Sequence, residues 1–265
     1  MPKFAANLSL LFTEYDFMER LNAAARAGFK GVEYMFPYPF PAGELAERLE
    51  CNDLTQVLFN LPAGDWDRGS RGIACQPERV QEFRDGVGRA LEYARVLNCR
   101  QINCLAGIAP QDADPELLRD TLVENLRFAA GQCREAGIRL MLEAINTRDI
   151  PGFYLHGSAQ TLAIIDQVEA DNLFLQYDIY HMQRMEGELA ATIQANLNRI
   201  GHIQVADNPG RHEPGSGEIH YPFLFDFLDR VGYDGWIGAE YKPATTTEEG
   251  LGWVRPYQTR RAGSG

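Results

Sequence analysis

The feature that most constrains this chain is a strict alternation of short apolar runs with amphipathic, helix-like segments along its whole length. The strand-like runs are Phe4–Ser9, Gly31–Phe36, Leu54–Asn60, Gln101–Ala106, Arg139–Ile145, Leu173–Ile179, His202–Asp207 and Trp236–Tyr241. Helices are predicted over Glu14–Ala27, Leu45–Leu49, Arg79–Leu97, Pro115–Glu135, Ser158–Val168, Gly187–Leu197 and Pro222–Val231, so each strand but the last is followed by one. Leu21, Ala24 and Ala25 share one face of the first helix, Phe223, Leu224, Phe227 and Leu228 one face of the last, and Gly28 and Gly137 stand where a helix closes. Neighbouring parallel strands need crossover connections, and alternation supplies them, so the sheet is predicted to be parallel. Eight such units point to a closed (β/α)8 barrel, the TIM barrel. An open doubly wound sheet calls for a glycine-rich phosphate turn after an early strand, and NLSLLFTEY after the first run is not one. We see no composition break, and read one domain over 1–258 with a flexible tail over 259–265.

The formal charge of −12 argues against a nucleic-acid partner, which needs a basic face. The five cysteines (51, 75, 99, 104 and 133) form no CxxC pair and no zinc spacing, as expected of reduced thiols in a cytoplasmic protein. The start, MPKFAANLSLLF, predicts neither a signal peptide nor a membrane span. The aromatic stretch Tyr38-Pro39-Phe40 is a candidate for an exposed contact in a homo-oligomer.

In barrels of this kind the chemistry sits at the C-terminal ends of the strands. At those positions stand Glu143 (LMLEAIN), Asp178 (LQYDIYH), Gln204 (GHIQVAD) and Glu240 (WIGAEYK), on four successive strands. A carboxylate at the end of an apolar strand is costly unless it is paired, and three in one barrel mouth repel each other. An all-oxygen set with three carboxylates suits a hard divalent cation, Mg²⁺ or Mn²⁺.

The blocks LPAGDWDRGSRGIAC (61 to 75), IPGFYL (150 to 155), YDIYHMQRMEGEL (177 to 189), ADNPGRHEPGSGEI (206 to 219) and GAEYKPATTTEEGLGW (238 to 253) closely resemble the hydroxypyruvate isomerases of the xylose-isomerase-like barrel superfamily. The more distant 2-oxo-tetronate isomerases share FAANLS and EYKP. The resemblance implies Glu143, Asp178, Gln204 and Glu240 as metal ligands and Glu143 and Glu240 as the proton donor and acceptor. It implies interconversion of hydroxypyruvate and tartronate semialdehyde by proton transfer through an enediolate. Ala144, where close relatives often carry Pro, and His212 in the NPxRxEPG loop depart from the pattern without touching those ligands.

The substrate carboxylate needs a cation; Lys242 is the first candidate, with Arg68, Arg71 and Arg211 as alternatives. His181 is positioned to hydrogen-bond a substrate oxygen or carry a proton, His202 to stand behind Gln204, and Trp66, in the long loop after the third strand, to help exclude water. Other functions stay open from sequence: a 2-oxo-tetronate isomerase, a ketose 3-epimerase with similar metal and acid pair, or a non-catalytic sugar-acid binding protein. An abasic-site endonuclease of the same superfamily would call for a histidine-rich multinuclear zinc site and a basic surface, and the chain shows neither.

Overall fold

The structure, a computed structural model, describes residues 2–262. The eight strands close in sequence order, β1-β2-β3-β4-β5-β6-β7-β8 with β8 beside β1, and every pairing is parallel. In chain order the elements are β1 (Lys3–Asn7), α1 (Phe17–Arg26), β2 (Gly31–Glu33), α2 (Ala42–Cys51), β3 (Thr55–Asn60), α3 (Val80–Val96), β4 (Gln101–Cys104), α4 (Pro115–Glu135) and β5 (Arg139–Glu143). There follow α5 (Ser158–Val168), β6 (Leu173–Asp178), α6 (Ile179–Met185), α7 (Leu189–Ala195), β7 (Ile200–Val205), α8 (Tyr221–Val231), β8 (Trp236–Ala239), α9 (Thr247–Gly250) and α10 (Arg255–Ala262). The TIM barrel and single domain expected from the alternation are what the chain forms.

Local chemistry sets the boundaries. α4 begins where the Asp114 side chain accepts from the Glu116 N–H at 2.9 Å, with Pro115 at the first helical position. Its residues Leu122, Leu126, Ala129, Ala130 and Cys133 recur at helical spacing and are all buried against the sheet. Inside the barrel, Ala5, Val57, Leu58 and Met141 form a small apolar floor, with Phe174 and Trp236 packed against it. Above that floor the interior turns polar.

Four expectations differ from the structure. The helix predicted over Gly187–Leu197 is present as α7 (Leu189–Ala195), but an unpredicted helix, α6, precedes it: Asp178 ends β6 and caps α6 at once, and Gly187 and Glu188, at φ 71° and 48°, separate α6 from α7. β8 is followed by α9 and α10 rather than by no helix. α10 occupies part of the expected tail, running to Ala262, while 263–265 lie outside the described residues. It docks beside β1, where the Phe4 ring meets Phe225, Trp253 and Tyr257 edge-on at 5.0, 5.0 and 5.6 Å. Finally, Tyr38 and Phe40 turn inward: the Tyr38 hydroxyl donates to the Asn60 carbonyl at 2.7 Å and Phe40 stacks on Phe17 at 4.5 Å. Their partners are within the protomer, so that loop is not an exposed aromatic surface. Among the described residues, no helix is long and apolar enough to cross a membrane.

Candidate active site at the mouth of the barrel

Parallel register brings the strand-end polar residues to one end of the barrel. Glu143 closes β5 beside Gln176; Asp178 closes β6 beside Gln204; Gln204 lies beside Gly238; and Glu240 follows β8 directly. All four expected ligands are buried. Carboxylate oxygens of Glu143 and Asp178 and a ring nitrogen of His181 lie within 4.8 Å of one another. Glu240 reaches the same place through Arg211, whose Nη2 is 3.5 Å from Glu240 Oε1 and 4.0 Å from Asp178 Oδ2.

A cavity of about 80 Å³ opens here, lined by Glu143, Glu240, His181 and Arg211 on its polar side and by Met35, Trp66, Leu105, Ile145 and Ile150 on its apolar side. Larger clefts elsewhere on the surface, such as the one between Gly28 and Tyr257, carry no comparable set of groups. Lys242 is exposed and does not line the cavity; its backbone N–H donates to the Arg211 carbonyl at 2.8 Å. The cation that enters the mouth is Arg211. Its loop is held by Asp207, whose carboxylate accepts from the N–H groups of Asn208, Gly215 and Ile219 at 2.8–3.0 Å. Arg211 itself adopts φ 55°, a conformation rare for a side-chain-bearing residue, and its guanidinium lies 5.2 Å over the Tyr180 ring.

Charge in the mouth is unbalanced. Burial, then the neighbouring Glu240 and Asp178, push the Glu143 carboxyl well above the usual carboxylate range. Burial likewise raises Glu240, with Arg211 opposing and Asp178 and Glu33 adding to the rise. Burial holds the His181 imidazole down at about 4, although Asp178 pulls the other way. Asp178 Oδ2 is buried without a hydrogen-bond partner. An orphaned carboxylate oxygen beside two carboxyls that resist ionising is a donor set that a divalent cation fits, because such an ion satisfies the oxygen and relieves the repulsion together.

A model of the xylose isomerase-like TIM barrel family matches residues 21–257. The chain belongs to that family. It is 55% identical to hydroxypyruvate isomerase of Escherichia coli K12 over 97% of this chain and 100% of the relative. It is 49% identical to 2-oxo-tetronate isomerase of Cupriavidus necator over 98% of this chain and 100% of the relative. Among solved structures it is similar to one described as an AP endonuclease, family 2, from Brucella melitensis. That likeness has a TM-score of 0.95 and 45% identity, and covers 97% of this chain and 99% of the other.

Beneath the mouth, this xylose isomerase-like barrel carries polar residues that strand-end reading passes over. Glu33, at the end of β2, is fully buried in the barrel interior. It accepts from Asn7 Nδ2 at 3.0 Å and Gln204 Nε2 at 2.8 Å, and pairs with His202 Nε2 at 2.7 Å. That fixes Gln204: its amide nitrogen faces Glu33, and its oxygen accepts from Gln176 Nε2 at 2.7 Å with one lone pair remaining. His202 therefore stands behind Gln204, as its position along the strand suggested. Asn103 Nδ2 donates to Glu143 Oε2 at 2.8 Å, leaving Oε1 clear of that bond. The signal for Glu33 was Gly238: a Cβ there would sit 2.3–2.5 Å from the Glu33 carboxylate, so the glycine makes room for it. Trp66 lines the cavity with the Arg71 guanidinium 4.2 Å over its ring, while Arg68 is exposed at the loop tip.

Proposed function

We propose that this protein is a hydroxypyruvate isomerase, an enzyme that interconverts hydroxypyruvate and tartronate semialdehyde with the help of a divalent cation, Mg²⁺ or Mn²⁺. The observation that carries the reading is the pairing of two buried glutamates, Glu143 and Glu240, with one arginine in a cavity sized for a very small acid. The relative of that name, aligned over its whole length, supports it.

Isomerisation moves the carbonyl from C2 to C3. One carboxylate takes a proton from C3, giving an enediolate; the other delivers a proton to C2, while the C3 hydroxyl gives up its proton as the C2 oxygen gains one. Each such proton transfer contributes about 10²–10⁴-fold. Glu143 and Glu240 are in place for these two roles, and their raised proton affinity suits groups that must accept a proton and hold it briefly. Arg211 pairs with the substrate carboxylate, exchanging its contacts to Asp178 and Glu240 for a better-matched anion. Trp66, Leu105 and Ile145 form an apolar wall that keeps water from the enediolate. Asp178, the free lone pair of Gln204, Glu143 and Glu240 would hold the cation. Bound there, it supplies Lewis-acid stabilisation of the negative charge that develops on oxygen. A carboxylate that both binds a cation and moves a proton needs a free oxygen, and the one-sided bond from Asn103 leaves Glu143 such an atom.

The 2-oxo-tetronate relative offers a second reading with the same chemistry on a four-carbon acid. The small cavity, walled by Met35, Leu105, Ile145 and Ile150, favours three carbons. Cleavage of abasic DNA is disfavoured by the chain's excess of acidic over basic residues, 37 against 25. The reduced, unpaired cysteines fit a cytoplasmic protein. The deciding experiment compares turnover of hydroxypyruvate and 2-oxo-tetronate by protein stripped with a chelator and then given Mg²⁺ or Mn²⁺. Metal-restored turnover that favours hydroxypyruvate is expected. Preference for the four-carbon acid would transfer the same site to the second reading, and turnover of neither would overturn both.

A further inference from the structure

His181 presents a choice that burial alone does not make. Its ring lies in the cluster with Glu143 and Asp178, where a bare nitrogen would serve as a metal ligand and a protonated one as a hydrogen-bond donor. The answer is written one residue away. Asn146, fully buried three residues beyond Glu143, places its amide nitrogen 2.6 Å from His181 Nδ1.

Which way that amide faces is fixed by its other partners. Asn146 Oδ1 accepts from the backbone N–H groups of Arg148 and Asp149 at 3.1 and 2.9 Å, and Nδ2 donates to Asp149 Oδ2 at 3.1 Å. Turning the amide over would set its oxygen against the Asp149 carboxylate and strand two N–H groups. Asp149 can only accept, because the Tyr180 hydroxyl donates to it at 2.8 Å, Arg184 pairs with it, and its carboxyl is held below the usual range despite partial burial. Both oxygen lone pairs and one amide proton of Asn146 are therefore committed. The remaining amide proton points at His181 Nδ1, which must accept it.

We propose that Asn146 is a positioning residue that holds His181 as the neutral tautomer with its proton on Nε2, making that nitrogen a donor to a substrate oxygen and excluding it from the metal's ligands. The logic differs from that of a metal-bound histidine, whose outer nitrogen normally donates to a carboxylate or carbonyl; here the outer nitrogen meets a donor. His181 Nε2 lies 3.6 Å from the unpartnered Asp178 Oδ2, too far for a hydrogen bond, so its proton is uncommitted and free to turn toward an oxygen on C2 or C3. Arg184, Tyr180 and Asn146 all donate to Asp149, and that common acceptor fixes the Asn146 amide so that its second proton goes to the ring, which presents its own proton to the cavity. This role rests on the isomerase reading only for the identity of the oxygen that receives the bond.

The test is ¹⁵N NMR of the Mg²⁺-loaded enzyme labelled at histidine, with His181 assigned by the signals missing from His181→Gln. A pyridine-like Nδ1 and a pyrrole-like, proton-bearing Nε2 are expected, unchanged by Mg²⁺. A proton on Nδ1, a doubly protonated ring, or loss of the Nε2 proton on adding Mg²⁺ would overturn the proposal. In Asn146→Asp the side chain becomes a pure acceptor, so the tautomer is expected to swap and kcat/KM for hydroxypyruvate to fall about 10–100-fold, the usual effect of losing such a partner; an unswapped spectrum in the folded variant would count against the mechanism. Because the wild-type spectrum needs neither a folded variant nor turnover, a failed tautomer assignment and a failed isomerase assay are separate results.

Discussion

Glu143 and Glu240 come from different strands yet line one cavity, so each is expected to matter to the proton transfers rather than to binding alone. Glu143→Gln and Glu240→Gln keep shape and hydrogen bonding while removing the base. Each is expected to lower kcat by about 10²–10⁴-fold, measured by steady-state assay of hydroxypyruvate conversion; near-normal kcat in both would remove the assigned roles. Arg211 and Lys242 make a sharper contrast. Arg211→Ala removes the cation in the cavity and is expected to cost about 1.5–3 kcal/mol of charged hydrogen bonding, read chiefly as a higher KM. Lys242→Ala alters an exposed side chain and is expected to leave kcat/KM within about twofold, in keeping with the small worth of exposed charges. A larger loss from the lysine than from the arginine would reverse the assignment. The sequence marked both as candidates. Ranking them required the loop after β7, because Arg211 is delivered by its own backbone conformation and by the Asp207 bonds, neither of which periodicity records.

At the scale of elements, the strands were readable because apolar runs between glycines and helices leave little choice, and Pro115–Glu135 and Ser158–Val168 are helices with the bounds expected. The short helix α6 was not readable in that way, since Asp178 serves as strand end, helix cap and site carboxylate together. The polar interior under the mouth was also hidden. Asn7, Glu33, Gln176 and His202 lie on four strands, and only barrel closure makes them neighbours. Gly238 is the trace this leaves in β8. Gly238→Ala drives a methyl into the Glu33 carboxylate and is expected to destabilise by about 1–3 kcal/mol, measured by urea unfolding. Shortening the acid should make room again, so the loss in Gly238→Ala/Glu33→Ala is expected to be smaller than the sum of the two single losses. Additive losses would mean that the glycine is needed for something other than space.

For the whole molecule, the clustered acids link pH, cation and stability. Glu143 and Glu240 are both raised in the folded protein, chiefly by burial, relative to the unfolded value of about 4.3. The folded state then binds more protons than the unfolded one between that value and the raised folded ones. Stability must fall as pH climbs through this window, the opposite of the usual behaviour of salt-bridged carboxylates. Chelator-treated protein is therefore expected to be more stable near pH 5 than near pH 8, on account of these two groups, in thermal unfolding followed by circular dichroism. A divalent cation that binds only the folded, ionised cluster reverses the trend. At one hundred times its Kd it adds about 2.7 kcal/mol, which for a chain of this size corresponds to a Tm increase of roughly 5–10 °C. That increase should be largest at alkaline pH, where no proton competes, and should shrink in Asp178→Asn, which removes a ligand charge while keeping both glutamate side chains, although it also relieves part of the repulsion that raises them. A Tm that ignores Mg²⁺ and Mn²⁺ at pH 8 would disconnect the buried acids from any cation, and the charge imbalance in the mouth would then have to be carried by protons and by Arg211 alone.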